Sequence, residues 1–129
     1  MIVVGYTADE YGQAALEHAM TEASLRGTGL LVVNSTKGDA YSDPGFAQQP
    51  QVHDVEERLK SCGLAYELIQ PVGVDPVNEL LEAMDRADAE LLVIGIRHRN
   101  PVGKLLLGSV SQQLLLECAK PVLAVKPAS

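Results

Sequence analysis

Long hydrophobic runs, paired cysteines and a basic leader are all missing from this chain of 129 residues. Every uninterrupted apolar run is far shorter than the ~18 residues of a membrane-spanning helix, so we predict no association with a membrane. The chain opens directly on the apolar segment Ile2–Val4, and the lack of a leader favours a cytoplasmic location over secretion. Cys62 and Cys118 have no Cys-x-x-Cys spacing, which predicts small apolar helix residues rather than a disulfide or a metal pair.

Acidic residues are scarce in one region only. The whole chain carries 17 acidic and 10 basic residues and a net charge of −7, which disfavours binding to nucleic acid. Yet no Asp or Glu occurs from Leu91 through Leu116. This segment is suited to hold an anion such as a phosphate, because a nearby carboxylate would repel it.

Strand-like segments alternate with helical patterns along the whole chain. We predict strands at 2–6, 30–34, 65–71, 90–95 and 122–126, and helices around 15–23, 52–59, 77–84 and 109–119. The second and fourth strands are apolar on both faces, as is typical of a parallel sheet covered by helices. The predicted fold is a single doubly wound, Rossmann-like α/β domain over residues 1–129, with a five-stranded, mostly parallel sheet and helices on both faces. Ligands of such sheets bind beyond the carboxyl ends of the strands, so the loops after strands one, two and four are the candidate sites.

Local patterns predict how these elements begin and how they are joined. Thr7 and Glu10 fit a capping box at the start of the first helix. Asp75 followed by Pro76 predicts the start of the third helix. The segment Ser35–Pro50 is rich in Gly, Pro, Ser and Asp and predicts a loop. Two interpretations are open for its Tyr41 and Phe46, folding over a ligand and belonging to an unanchored loop, and we favour the second.

The segment from Gly95 to Ser111 is the strongest candidate for an anion site. It follows a strand and leads into a helix, whose first backbone N–H groups have no partner within the helix. It is not a Walker loop, because His98 stands five residues before Gly103 and Leu105 follows Lys104; the dinucleotide motif Gly-x-Gly-x-x-Gly is also absent. The alternative is a plain surface turn capped by Ser109.

The spacing of this segment resembles the universal stress protein family. Nucleotide-binding members carry Gly, two residues, Gly, nine residues, then Gly-Ser or Gly-Thr. Here two residues separate Gly95 from His98, and nine residues separate His98 from Gly108-Ser109. The stretches 3–7, 14–19, 105–111 and 121–125 are also similar to the family, and the resemblance covers the chain except 35–50.

The resemblance implies that ATP or another adenine nucleotide lies across the carboxyl edge of the sheet. Phosphate and ribose contacts are implied for Gly95, Gly108, Ser109 and Ser111, and adenosine contacts for Gly5, Tyr6, Thr7 and Ser35. Ile94, Arg97, His98, Arg99, Gly103 and Val110 complete the predicted site. Family members commonly form homodimers through the last strand, here Val122, Leu123, Ala124, Val125 and Lys126.

Two positions depart from the family pattern. His98 replaces the second glycine, where it either obstructs the backbone or, with Arg97 and Arg99, replaces amides as a phosphate donor. Thr7 replaces the usual acidic residue, and a hydroxyl is a poor Mg²⁺ ligand, which argues against a metal requirement. We predict a nucleotide-binding stress sensor or regulator without catalytic residues; the alternatives are an interaction dimer that has lost nucleotide binding and a slow nucleotide hydrolase.

Overall fold

The computed structural model describes residues 1–38, 40, 42–97 and 107–127. Within them, strands and helices alternate in the order β1 (Ile2–Gly5), α1 (Glu10–Arg26), β2 (Leu30–Val33), α2 (Gln49–Ser61), β3 (Tyr66–Ile69), α3 (Pro76–Met84), β4 (Leu91–Gly95), α4 (Ser109–Glu117) and β5 (Val122–Val125). The predicted alternation is confirmed, and the ends differ from the predicted ends by a few residues. His98, Arg99, Gly103 and Tyr41 lie outside the described residues.

The strands form a single sheet whose order places the first strand in the middle. The order is β3-β2-β1-β4-β5, and every neighbouring pair is parallel, so the sheet is wholly rather than mostly parallel. From β1 the chain moves outward through β2 and β3, and then returns to the other side of β1 to form β4 and β5. The order therefore reverses between β1 and β4, which is where a doubly wound sheet leaves a crevice.

The core consists of two apolar layers on opposite faces of this sheet. Val4 and Val32 pack with Leu16 of α1 and Leu59 of α2, and all four side chains are buried. Alternate residues of the same strands point the other way and pack against α3 and α4. This double burial explains why β2 and β4 are apolar at every position before the terminal glycine of β4.

The capping prediction at α1 was wrong, because a neighbouring carboxylate takes the role assigned to Thr7. The N-cap is Asp9, whose Oδ1 accepts the N–H of Gly12 at 2.9 Å. The Thr7 hydroxyl instead donates to the same oxygen at 2.7 Å. The connection is so tight that a Cβ on Gly12 would lie 1.7 Å from the Thr7 carbonyl oxygen. At α3 the prediction is confirmed: Asp75 is the N-cap, and its side chain accepts the N–H of Val77.

Candidate functional site

A cavity of about 270 Å³ opens at the carboxyl edge of the sheet, beside the crevice between β1 and β4. The ends of three neighbouring strands, a turn after β2, and residues of α3 and α4 enclose it. The lining residues are Gly5, Tyr6, Thr7, Val33, Ser35, Asp43, Gly45, Pro76, Leu80, Ile94, Gly95, Val110, Ser111 and Leu114.

The cavity brings together residues that are distant in sequence and that the sequence analysis predicted to form one site. Eight of the predicted residues line it, namely Gly5, Tyr6, Thr7, Ser35, Ile94, Gly95, Val110 and Ser111. Arg97, Gly108 and Ser109 are exposed and are not among the lining residues. The sequence missed Val33, Asp43, Gly45, Pro76, Leu80 and Leu114.

One side of the cavity, which we call the α4 wall, consists of Val110, Ser111 and Leu114. The N-cap of α4 is Gly108, which has no side chain that could cap the helix, and Ser109 is the first helical residue rather than the cap. The first amide bonded back to the cap is that of Gln112, which donates to the Gly108 carbonyl at 3.0 Å. The amides of residues 109–111 therefore keep the donor character of a helix start, and no acidic residue stands in this first turn.

A second side, the β2 wall, consists of Val33, Ser35, Asp43 and Gly45. The loop that provides it was predicted to be unanchored, and this was wrong. Phe46 and Ala47, next to the wall, are only 9% and 4% exposed. The sequence could not show this because the partner of the loop is a buried side chain at the end of β2.

That side chain is Asn34, which is 1% exposed. Its Nδ2 donates to the carbonyl oxygens of Tyr6 at 2.8 Å and Gly45 at 2.9 Å. Its Oδ1 accepts the N–H of Ala47 at 2.8 Å and the Nε2 of Gln70 at 3.0 Å. Asn34 thus ties the turn to the end of β1 and to the residue after β3, which fixes the position of the β2 wall.

Asp43 is the most consequential residue that the sequence analysis missed. Its Oδ2 accepts the Thr36 hydroxyl at 2.6 Å, and its Oδ1 accepts the N–H of Gly45 at 2.9 Å. The acid-free segment Leu91–Leu116 borders only part of the cavity, so the expectation of a site without acids does not hold at this wall. The turn signal Asp43-Pro44-Gly45, in the connection that follows the buried strand β2, was the available clue.

At two glycines of the site a side chain would meet neighbouring atoms, but the atoms are of different kinds. A Cβ on Gly95 would lie 2.2 Å from the backbone carbonyl oxygen of Tyr11, so this position is needed for α1 to approach β4. A Cβ on Gly5 would meet the Cδ1 of Leu80 at 3.0 Å, which is the end of a flexible side chain. Gly95 therefore has a packing role that does not depend on any ligand.

Tyr6 is a described lining residue whose ionisation is shifted by its surroundings. Tyr6 is buried, and its hydroxyl accepts the Nε2 of Gln13 at 2.9 Å. Burial, followed by the nearby Asp9 carboxylate, raises the pKa of Tyr6 above its ordinary value of 10.0. The described residues include no group of three or more His, Cys, Asp or Glu side chains arranged to hold a metal ion. None of the described helices combines the length and the apolar character needed to cross a membrane.

Known proteins share this architecture. The profile of the universal stress protein family matches residues 1–126. A universal stress protein of Mycolicibacterium smegmatis is 68% identical over 127 residues, which cover 98% of each chain. A universal stress protein of Archaeoglobus fulgidus has a solved structure that is 30% identical, with a TM-score of 0.77 over 97% of this chain and 96% of that one. A second structure from that organism, a universal stress protein in complex with dAMP, is 26% identical, with a TM-score of 0.65 over 97% of this chain and 95% of that one. This chain belongs to the universal stress protein family.

Proposed function

We propose that this protein binds ATP or a related adenine nucleotide in the cavity between the β2 wall and the α4 wall, and that it acts as a cytoplasmic stress sensor or regulator. The observation that carries the proposal is the cavity itself, because it combines a helix start with the switch point of a doubly wound sheet. The complex of the A. fulgidus relative with dAMP supports an adenine nucleotide as the ligand class.

The lining divides into parts that suit the parts of a nucleotide. Val33, Leu80, Ile94 and Leu114 offer apolar surface for a base. The amides at the start of α4 offer donors for a phosphate, whose negative charge the helix dipole favours. The volume of about 270 Å³ is near the lower end of the usual range for ligand pockets, about 300–1,000 Å³, and suits one nucleoside with its phosphate beyond the mouth.

A regulatory role fits these residues better than catalysis does. Hydrolysis of ATP needs a group that orients water and a well-held Mg²⁺. Thr7 lines the cavity, but its hydroxyl donates to the N-cap Asp9, and the described lining contains neither His nor Lys. Its one carboxylate, Asp43, belongs to no cluster of His, Cys, Asp or Glu side chains among the described residues that could hold a metal ion. The protein would then act through ligand-linked changes in its contacts with other chains.

The contact that we propose is a homodimer through β5. This strand is an edge of the sheet. Carbonyl groups of Pro121 and Val125 face β4, where they accept the amides of Leu92 and Ile96 at 3.1 and 2.8 Å. Because backbone groups alternate along a strand, the amide of Ala124 faces outward, available to a second copy. Ala124→Pro removes only that outward donor, and we expect a dimer to become monomeric by light scattering without loss of the fold.

Calorimetric titration with ATP, AMP and adenosine tests the nucleotide proposal. Ser109→Pro removes one amide of the helix start, yet proline suits a first helical position, and Gly108 has the extended backbone (φ −65°, ψ 159°) that a following proline requires. We expect about tenfold weaker ATP binding and unchanged adenosine binding, because a charge-assisted bond contributes about 1.5–3 kcal/mol. Ser109→Ala is the matched control, since it removes the hydroxyl and keeps the amide.

The outcome also decides between the proposal and its alternatives. If the wild type binds neither ATP nor adenosine at millimolar concentration, the protein is a family member that works as an interaction dimer alone. If ATP is bound and phosphate is released over hours, at a rate that Ser109→Ala lowers, the protein is a slow hydrolase. Equal ATP binding by wild type and Ser109→Pro would show that the Ser109 amide does not bind the phosphate.

A further inference from the structure

Asp43 gives the cavity a charge that its other described lining residues do not balance. The remaining thirteen are glycine, aliphatic, hydroxyl-bearing or proline residues, so Asp43 is the one charged side chain of the described lining. No ion pair to Asp43 occurs among the described residues. The β2 wall therefore carries a carboxylate, whereas the α4 wall carries backbone donors.

The carboxylate is held in place by the fold before any ligand arrives. One oxygen accepts the hydroxyl of Thr36, which is 1% exposed and is fixed by a β-bridge to Val72. The other accepts the N–H of Gly45, whose carbonyl is in turn bonded to Asn34. A preorganised acceptor can discriminate between ligands because little ordering is lost when it binds.

These two bonds use only part of the acceptor capacity of the Asp43 carboxylate. An ionised carboxylate has about four acceptor positions on its two oxygens, and the two bonds use one position on each. Because Asp43 lines the cavity, a ligand group that donates a hydrogen bond can use one of the remaining positions. A phosphate at the same place would be repelled by the like charge.

We infer that Asp43 is a specificity-determining residue that accepts a hydrogen bond from an N–H or O–H donor on the uncharged end of the nucleotide. This inference rests on the proposed function. The donor is either the amino group of the base or a hydroxyl of the ribose. With the acid at one wall and the amides at the other, the nucleotide enters in a single direction, with its phosphate toward α4.

The test compares ligands and variants in one calorimetric series. The ligands are ATP, adenosine, purine riboside (which lacks the amino group), and 2′- and 3′-deoxyadenosine. The variant is Asp43→Asn, which can still bond Gly45 and Thr36, because its amide oxygen accepts and its amide nitrogen donates to the hydroxyl. Glu67→Gln is the control, since it removes the same charge at an exposed position of β3.

We expect Asp43→Asn to bind adenosine about three- to tenfold more weakly, because a charge-assisted bond becomes a neutral one. The ATP affinity should fall less, since repulsion of the phosphates is relieved. The ligand that lacks the group donating to Asp43 should bind the wild type more weakly than adenosine does. Its affinity should not fall further in Asp43→Asn. If that ligand is purine riboside, the donor is the amino group; if it is a deoxyadenosine, the donor is the missing hydroxyl.

Four results would overturn the inference. If the wild type binds neither ATP nor adenosine, the proposed function fails and the inference fails with it. If the wild type binds ATP but Asp43→Asn leaves every affinity unchanged, only the inference fails. If Asp43→Asn weakens all ligands by the same factor, Asp43 merely supports the turn. Should the variant not fold, the wild-type ligand series decides alone, because equal affinities for all four nucleosides would exclude a donor bond to Asp43.

Discussion

The two walls of the cavity present different polar groups and are held in place in different ways. The α4 wall presents backbone amides and needs little from its side chains beyond the apolar Leu114. The β2 wall is a turn held by a buried side-chain network around Asn34, and it presents a carboxylate. The difference teaches that one cavity can be polarised without any cation in its described lining, by a helix dipole on one side and a fixed acid on the other.

The largest effect is expected where the sheet beside the α4 wall meets α1. Gly95→Ala would place a Cβ 2.2 Å from the Tyr11 carbonyl oxygen, and backbone cannot move aside cheaply. We expect the free energy of unfolding to fall by about 3 kcal/mol or more, and the melting temperature by roughly 10 °C. Thermal denaturation followed by circular dichroism measures this. Gly38→Ala is the control, because nothing lies within 4 Å of its added Cβ.

If Gly95→Ala has the same melting temperature as the wild type, α1 does not approach β4 as closely as described. If the variant is destabilised yet binds ATP normally at low temperature, Gly95 serves packing rather than the ligand. Either result would separate the steric role of this glycine from the phosphate contact that the family resemblance implies for it.

The second-largest loss of stability is expected at the β2 wall. Asn34→Ala removes the partner of the Tyr6 carbonyl and of the Ala47 amide in a buried place, whereas the Gly45 carbonyl keeps its bond from the N–H of Ala8 at 2.9 Å. We expect a loss of about 2–3 kcal/mol in urea unfolding, since a stranded buried polar group costs about 1–3 kcal/mol. Exposed Asn78 gives the control Asn78→Ala, for which we expect a change within about 0.5 kcal/mol. A loss no larger than that of the control would mean that Asn34 does not hold the turn.

The comparison of the walls also shows what the sequence could predict. Periodicity predicted the alternation and the two-layer core, because burial of strands and helices follows local patterns. The strand ends that line the cavity followed from the carboxyl-edge rule and from the family spacing. Asn34 was missed because its partners lie 11 to 36 positions away, which no local pattern encodes. Asp43 had a local clue in its turn, but its bond to Thr36 and its place in the cavity depend on the fold. At α1 two residues could cap, and the carboxylate of Asp9 was the stronger acceptor.

A smaller effect should distinguish the two glycines of the cavity. Gly5→Ala brings its Cβ to 3.0 Å from a terminal methyl of Leu80, which can move, so we expect less than about 1.5 kcal/mol of destabilisation. The added methyl and the displaced Leu80 both intrude on the cavity, so adenosine affinity should fall about tenfold in calorimetry. Equal losses of stability in Gly5→Ala and Gly95→Ala would contradict the distinction between a side-chain contact and a backbone contact.

The smallest effect is expected at Tyr6, the lining residue directly after β1, and it depends on pH. Burial raises the pKa of Tyr6 in the folded protein, so the unfolded chain releases this proton first as the pH rises past 10. The free energy of unfolding should therefore be constant in this respect below pH 10 and should fall as the pH rises through the folded pKa. Tyr6→Phe should lose about 1 kcal/mol at pH 8, through the bond from Gln13, and should then lose less than the wild type between pH 9 and 11. Urea unfolding curves of both proteins at each pH measure the two slopes; equal slopes would mean that burial does not raise the pKa of the Tyr6 phenol.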